Sequence, residues 1–206
     1  MRELVIAGAG GFGREVRWTL ERLESAGKSG WKFIGFADDA PALSSQPGVL
    51  GKVDAALKAH PDAAVFPAFG DNAARASFAE RFADREMPCI IDPAATVAGD
   101  AIFGPGCYAG PFALVSTGAK LGRCVLANAR CGIGHDCEIG DFAQICPGAS
   151  LSGAVRIGAG TLVGSNAAIL PELETGAWST VAAGTTVFRN IPPGFTASPF
   201  GTGRTR

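Results

Sequence analysis

The sequence predicts an α/β domain with Rossmann-like topology followed by a parallel β-helix of hexapeptide repeats. Two observations predict this fold class. Residues 1–90 alternate short apolar stretches with amphipathic ones, in the order strand, helix, strand. From Val97 to Val187 an aliphatic residue recurs at nearly every sixth position, and glycine often follows it.

Composition and charge exclude several classes of function. The chain has 206 residues, enough for one or two domains, and 47% of them are apolar, so it is not a disordered chain. The 18 basic and 19 acidic residues give a net charge of −1, which provides no general attraction to nucleic acid or to a membrane surface. No apolar run reaches the roughly 18 residues of a membrane-spanning helix. The N-terminus does not have the pattern of a signal peptide, and we expect a cytoplasmic protein.

The six cysteines do not indicate a metal or redox centre. No two of them form a CxxC pair, which is the spacing typical of zinc sites and redox dithiols. Cytoplasmic proteins rarely contain disulfides. We therefore expect no metal, and we interpret most of the cysteines as small buried side chains of the repeat.

The pattern in residues 1–90 predicts three strands and three helices. The strands are expected at Glu3–Ala9, Trp31–Ala37 and Ala63–Phe69, and the helices at Gly13–Ser25, Val53–His60 and Asp71–Met87. Asp71 is a candidate N-cap for the last helix. Because strands and helices alternate, the strands should form a small parallel sheet.

The hexapeptide period also predicts which residues stack. Fifteen of the sixteen residues at this spacing are apolar, the exception being Thr175. Three hexads close one coil, so residues 18 positions apart should lie in neighbouring layers. One inner column is therefore expected to contain Val97, Val115, Ile133, Leu151, Ile169 and Val187.

Several motifs resemble those of a known family. They are GAGGFG at 8–13, GFADD at 35–39, HDC at 135–137 with IGDF at 139–142, and GSNAAILP at 164–171. Together they resemble the sialic-acid O-acetyltransferase-like sugar acyltransferases, especially the nucleotide-sugar N-acetyltransferases of the bacillosamine and perosamine type. The resemblance covers nearly the whole chain. It implies a left-handed β-helix, acetyl-CoA as co-substrate, and a homotrimer with active sites between neighbouring subunits.

The resemblance also implies a division of labour along the chain. Residues 1–90 would bind a nucleotide-linked amino sugar, residues 91–191 would form the acetyltransferase β-helix, and residues 192–206 would be a C-terminal tail. The implied reaction is direct transfer of the acetyl group from acetyl-CoA to the sugar amine, with no covalent enzyme intermediate.

His135 is the candidate general base, because imidazole exchanges a proton near neutral pH. The resemblance implies that Asp136 orients the ring and raises its basicity. Neighbouring residues of a strand point to opposite faces, so this contact requires the chain to bend at His135. Gly153 follows His135 by 18 residues and should lie one layer away, about 4.8 Å. Its backbone N–H could then donate to the oxyanion of a tetrahedral intermediate, a role that the resemblance supports.

The remaining candidate residues come from the resemblance alone. The candidates for binding the nucleotide sugar are Gly10, Gly11, Phe12, Asp38, Asp39, Gly70 and Asn128, the last of them near the acceptor sugar. The candidates for binding acetyl-CoA are Gln144, Ser165 and Ala183. Gln144 stands where the family often has a second histidine, near the thioester.

Alternative functions remain open at this point. Gly8, Gly10 and Gly13 fit the GxGxxG pattern of dinucleotide-binding dehydrogenases, although about 90 residues are too few for two mononucleotide-binding halves. The acceptor could be a sugar hydroxyl, and the chain could be a non-catalytic module that binds nucleotide sugars. A metal-dependent hydratase of the γ-carbonic anhydrase type needs three histidines at a trimer interface, and the repeat contains one.

Overall fold

The structure, a computed structural model, describes residues 1–44 and 46–204. The chain divides into two compact units, Met1–Pro93 and Ala94–Arg206. The fold class predicted from the sequence, an α/β region followed by a parallel β-helix, is confirmed. Among the described helices none has the length and apolar character needed to cross a bilayer.

The first unit is a three-stranded parallel sheet with helices. Strand β1 (Arg2–Ala7) lies between β2 (Trp31–Ala37) and β3 (Ala64–Pro67). The other elements are α1 (Gly11–Ser25), α2 (Pro41–Ser44), α3 (Val53–Ala59), α4 (Asn72–Arg81) and β4 (Ile90–Ile91). Apolar side chains of β1, β3 and α1 are fully buried and form the core of this unit, among them Leu4, Ile6, Val16, Leu20 and Phe66.

The ends of two helices differ from the sequence prediction. Helix α1 begins at Gly11 instead of Gly13, and α4 ends at Arg81 instead of Met87. Asp71 caps α4 as predicted, with its Oδ1 accepting a hydrogen bond from Ala74 N at 2.7 Å. Beyond α4 the chain turns away, and Arg85 donates to Leu57 O at 2.8 Å, near the end of α3. The residue after the helix, Phe82, has a non-helical conformation with φ −116° and ψ 39°.

The second unit is a parallel β-helix of two-residue strands joined by four-residue corners. Face I contains β5 (Thr96–Val97), β8 (Leu114–Val115), β11 (Gly132–Ile133), β14 (Ser150–Leu151), β17 (Ala168–Ile169) and β20 (Thr186–Val187). Face II contains β6 (Ile102–Phe103), β9 (Lys120–Leu121), β12 (Glu138–Ile139), β15 (Arg156–Ile157) and β18 (Glu174–Thr175). Face III contains β7 (Tyr108–Ala109), β10 (Leu126–Ala127), β13 (Gln144–Ile145), β16 (Leu162–Val163), β19 (Thr180–Val181), β21 (Phe195–Ser198) and β22 (Gly201–Arg204).

The strand register confirms the predicted inner column. On face I, Val97 pairs with Val115, and each later member of the column pairs with the residue 18 positions away. Ile133 and Ile169 are fully buried. Thr175, the one polar residue in the six-residue pattern, is also buried, and its hydroxyl accepts a hydrogen bond from Gly158 N at 3.3 Å. A threonine is therefore tolerated inside the prism because the backbone satisfies it.

Residues beyond 191, expected as a tail, extend face III. Strand β21 pairs in parallel with β19, and β22 returns antiparallel to β21. A hairpin therefore follows the last two-residue strand of face III.

The inner column predicts that alanine substitutions of two isoleucines, one buried and one exposed, have very different effects on stability. Ile169→Ala should lower the free energy of unfolding by about 2–5 kcal/mol, because Ile169 is fully buried and the substitution leaves a cavity. Ile102→Ala is the matched control, since Ile102 is 58% exposed on face II, and it should change stability by about 0.5 kcal/mol or less. Urea denaturation followed by circular dichroism measures both, and equal effects would contradict the assignment of the column.

Candidate functional site

An imidazole and a carboxylate meet at the corner between faces I and II, named here the I–II corner. His135 and Asp136 are the two turn residues between β11 and β12. His135 Nδ1 lies 2.8 Å from Asp136 Oδ2, and the two side chains are 63% and 69% exposed. The bend that this contact requires is present, because Asp136 has a φ of 58°. Asp136 N is fixed in turn by Thr117 O, one layer away, at 3.0 Å.

This pairing leaves one ring nitrogen available for chemistry. When Nδ1–H donates to the carboxylate, Nε2 carries the lone pair and can accept a proton. The exposure of both side chains leaves the ring accessible to a bound substrate. The arrangement is that of a base with an orienting carboxylate.

Gly153 lies against the imidazole in the next layer. A Cβ placed on Gly153 would stand 2.3 Å from His135 Nε2 and 2.4 Å from Cε1. Its φ is outside the left-handed region, so the requirement for glycine at 153 comes from this close approach. Within the part of the chain that the structure describes, Gly153 N–H donates no hydrogen bond. The structure thus brings His135, Asp136 and Gly153 together at one corner.

Cys137, two residues from His135, points away from this site. Its side chain is fully buried, and Sγ donates to Ser152 O at 3.1 Å. Burial raises the pKa of the Cys137 thiol, so the reactive thiolate is scarce near neutral pH. Among the described residues no group of three His, Cys, Asp or Glu side chains is arranged to bind a metal.

The candidates for acetyl-CoA binding lie on a different corner of the same chain. Ser165 and Ala183 are turn residues between faces III and I, here the III–I corner, where Gly184 N donates to Ser165 O at 2.8 Å. Gln144 lies in β13 on face III. The I–II corner follows the III–I corner by six residues, so face I separates them by at most about 20 Å. One chain alone does not bring these residues to His135.

Two amide side chains near the III–I corner lack hydrogen-bond partners. Asn128 is 7% exposed, and its Nδ2 has no partner among the described residues. The Oε1 atom of Gln144 is likewise buried without one. Unsatisfied buried donors and acceptors are rare, and their presence here suits groups that receive a partner from outside the chain.

The glycine loop before α1 contains glycines of two kinds. Gly8 has a φ of 107°, and a Cβ there would lie 2.7 Å from Ala68 O, while a Cβ on Gly13 would lie 2.0 Å from Gly8 O. These two glycines are required for packing. Gly10, Gly11 and Gly70 instead face open space, because a Cβ on any of them would meet no atom within 4 Å. Bare backbone at the start of a helix suits a phosphate group.

The two acidic candidates of this unit hold backbone in place. Asp38 Oδ2 accepts from Ala9 N at 2.7 Å, inside the glycine loop, and Oδ1 accepts from Ala40 N at 2.8 Å. Asp39 Oδ1 accepts from Val53 N at 3.0 Å, at the start of α3. Both carboxylates thus have structural tasks at the carboxyl edge of the sheet, which the sequence pattern did not indicate.

The sequence analysis did not predict the roles of two further residues near these sites. Arg75 is fully buried in α4 and donates to Phe69 O at 2.7 Å and to Asn72 Oδ1 at 2.8 Å, which fixes the loop that contains Gly70. No motif in the sequence indicated this role. Gly118 lies against Asp136, and the 18-residue spacing that predicted Gly153 would also have found it.

The N-terminal unit is similar to a described protein family. Residues 3–82 match the family described as the PglD N-terminal domain. Over 80 residues the chain is 36% identical to the GDP-perosamine N-acetyltransferase of Escherichia coli O157:H7. That match covers 39% of this chain and 36% of that protein, so it spans little more than a third of the relative.

Similarity over the whole chain is found with solved structures. The acetyltransferase domain of PglB from Neisseria gonorrhoeae FA1090, in complex with acetyl coenzyme A, is 31% identical, with 99% of each chain covered and a TM-score of 0.87. PerB from Caulobacter crescentus, in complex with CoA and GDP-perosamine, is 25% identical and has a TM-score of 0.87. The match with PerB covers 100% of this chain and 98% of that chain.

The buried thiols predict a pattern of alkylation. In the folded protein Cys131 and Cys137 should resist iodoacetamide at pH 8, because burial raises the pKa of both thiols. For Cys131 the pKa rises from 9.0 to about 12, which makes its thiolate about a thousandfold scarcer. Peptide mass spectrometry before and after unfolding in urea measures the modification. Fast alkylation of Cys137 in the folded protein would contradict its inward placement.

Proposed function

We propose that this chain, which belongs to the family of nucleotide-sugar N-acetyltransferases, transfers the acetyl group of acetyl-CoA to the amino group of a nucleotide-linked amino sugar. The observation that carries the proposal is the pairing of His135 with Asp136 directly against the backbone of Gly153. The ligands of the two solved relatives, acetyl coenzyme A in one and CoA with GDP-perosamine in the other, support the choice of substrates.

In the proposed reaction His135 acts as the general base. Nε2 accepts a proton from the sugar amine as its nitrogen attacks the thioester carbonyl, and the new N–C bond forms. Gly153 N–H donates to the oxyanion of the tetrahedral intermediate. The C–S bond then breaks, and the leaving CoA thiolate takes the proton from His135 Nε2, which restores the neutral base. A positioned base contributes about 10²–10⁴ in rate, and one oxyanion donor about 10²–10³.

The same proposal assigns the nucleotide part of the substrate to residues 1–90. Gly10, Gly11 and Gly70 leave backbone open to a diphosphate, and Phe12 lies beside them in α1. Asp38 supports this role by holding Ala9 N and therefore the shape of the loop. Asp39 is assigned to the surrounding loops through its bond to Val53 N.

The β-helix, residues 91–191, is assigned to acetyl-CoA and to the acceptor sugar. Ser165 and Ala183 would line the pantetheine arm at the III–I corner, with Gln144 toward the thioester. Asn128 would donate its unpartnered Nδ2 to the sugar. The proposal keeps the reaction in the cytoplasm, the location expected from the sequence.

The proposed active unit is a homotrimer, because the two halves of the site, the I–II corner and the III–I corner, lie apart within a single chain. Face I separates them, and its outward residues carry no charge: Thr96, Leu114, Gly132, Ser150, Ala168 and Thr186. Face II, by contrast, carries an ion-paired ladder, with Arg156 bonded to Glu174 at 2.9 Å. Exposed apolar side chains lie on face I and beside it, Leu114 on the face at 47% exposure and Phe112 at its edge at 67%. Packing face I against a second copy would bring the I–II corner of one subunit to the III–I corner of the next.

Substitutions at the I–II corner should lower the rate of acetyl transfer. We expect His135→Ala to reduce kcat by about 10²–10⁴. Gly153→Ala keeps the backbone N–H, but its methyl group displaces the ring, so it should reduce kcat by up to the same factor. Asp136→Asn should lower kcat, because the amide replaces the carboxylate oxygen that accepts from Nδ1–H and orients the ring. Release of free CoA thiol, measured with 3-amino and 4-amino nucleotide sugars and with hydroxyl acceptors, checks these outcomes.

Two controls accompany this prediction. Gly99→Ala changes the same turn position three layers away, where nothing lies within 4 Å of the added methyl group, and should keep the wild-type kcat. Cys137→Ala should also remain active, since the transfer is direct. The proposed function would be wrong if His135→Ala turned over at the wild-type rate, or if acetyl-CoA bound without turnover on any acceptor.

Mixed oligomers test the shared site. His135→Ala and Ala183→Trp should each be inactive alone, because one lacks the base and the other blocks the acetyl-CoA edge. Equal amounts refolded together should recover about a quarter of the wild-type rate. Each site needs an intact I–II corner from one subunit and an intact III–I corner from the next, and in random assembly each has a probability of about one half.

The matched control mixes His135→Ala with Gly153→Ala, whose changes fall on the same corner and should not complement each other. If the mixture of His135→Ala with Ala183→Trp is no more active than either variant alone, a site shared between subunits is contradicted.

A further inference from the structure

Asp136 is in contact with the preceding layer of the β-helix, which contains Gly118. We propose that Gly118, together with Thr117 and Asp100, forms a platform that positions the Asp136 carboxylate and, through it, the imidazole. This proposal rests on the proposed function, because it concerns how the base of that reaction is held. All three are positioning residues, since Gly118 and Thr117 contact Asp136 and Asp100 binds both of them.

Asp136 approaches Gly118 closely enough to exclude any side chain there. A Cβ on Gly118 would lie 2.4 Å from Asp136 Oδ1 and 3.4 Å from Cγ. The carboxylate therefore rests on the Cα of Gly118, with Oδ1 against the glycine and Oδ2 against His135 Nδ1. Any side chain at 118 would push Oδ1 away, and the movement would break the contact of Oδ2 with the ring.

Hydrogen bonds from the layer below hold the glycine itself. Thr117 Oγ1 donates to Asp100 Oδ2 at 2.6 Å, and Gly118 N donates to the same oxygen at 3.1 Å. These bonds, chiefly that of the Thr117 hydroxyl, lower the pKa of Asp100, which therefore stays ionised near neutral pH. Thr117 O also accepts from Asp136 N at 3.0 Å. Three successive layers are thus linked from Asp100 through the 117–118 turn to Asp136.

An equivalent glycine at another corner provides a comparison. Gly160 has a φ of 66°, close to the 69° of Gly118, and a Cβ there would lie 2.3 Å from Cε3 of Trp178. Gly160 therefore has a similar left-handed conformation, and its corner between faces II and III is also crowded, with three Trp178 atoms within 2.6 Å of that Cβ. Its neighbour is an indole ring, whereas the neighbour of Gly118 is the carboxylate partner of the proposed base. The two glycines differ in what they support and little in how they are held.

The test compares Gly118→Ala with Gly160→Ala. Both should lose stability by similar amounts, which thermal unfolding measures. Gly118→Ala alone should lower kcat by at least tenfold, with little change in KM for acetyl-CoA or for the amino sugar. In combination with Asp136→Asn it should reduce kcat no further than Asp136→Asn alone, because both changes remove the same interaction.

A spectroscopic readout separates positioning from a general loss of structure. The ¹⁵N chemical shifts of His135 report which ring nitrogen holds the proton, and the chain has only two histidines, so His135→Ala assigns the signals. The wild type should favour the Nδ1–H form, and Gly118→Ala should shift the population toward Nε2–H. Thr117→Val, which removes the bond to Asp100 without backbone strain, should produce the same shift to a smaller extent.

The outcomes distinguish this proposal from the proposed function. An unchanged ring tautomer in Gly118→Ala and Thr117→Val, a fall in kcat equal to that of Gly160→Ala, or additive effects with Asp136→Asn would overturn it. If Gly118→Ala does not fold, Thr117→Val decides the question. Wild-type turnover of His135→Ala would instead refute the proposed reaction, and the tautomer measurement does not depend on any activity.

Discussion

The spacing between successive coils of the β-helix is the constraint on which the candidate site depends. Corner residues 18 positions apart are separated by about 4.8 Å, which leaves no room for two side chains that fold over each other. Where a side chain lies along the prism axis, the neighbouring layer must be bare. His135 has this space at Gly153, and Asp136 has it at Gly118. The pair is therefore enclosed between two glycines, one in the preceding layer and one in the next, and the winding of the chain sets its geometry.

The period of the sequence is sufficient to predict the stacking, because one inward residue per hexad is a strong and repeated signal. Ile133 can be placed beside Val115 and Leu151, and Gly153 beside His135, by counting residues. The contact between His135 and Asp136 cannot be derived this way. It depends on how the two side chains turn toward each other, which the hexad pattern does not specify. The left-handed φ of Asp136 itself follows the period, since Arg130 and Phe142 have it six residues before and after.

Other features are not predictable because they arise from single contacts between a side chain and the backbone. Asp38 holds Ala9 N across 29 residues, and the buried guanidinium of Arg75 fixes the carbonyl of Phe69. Neither interaction leaves a local pattern, so an aspartate after a strand resembles a ligand, and an arginine in a helix resembles a surface residue. The glycines of the loop show the same limit. The sequence does not distinguish them, and only the structure shows that Gly13 is needed for packing whereas Gly11 faces open space.

The hairpin of β21 and β22 affects how the edge of face III can pair with strands of other chains. A stack of parallel strands has unpaired amide and carbonyl groups at its last rung, and such a rung can recruit the first rung of another chain. Here β21 continues face III in parallel, and β22 then reverses direction. An antiparallel edge whose residues include Gly201 and Gly203 offers a poor template for further parallel winding. The reversal thus makes the β22 edge of face III less favourable for adding a parallel strand from another chain.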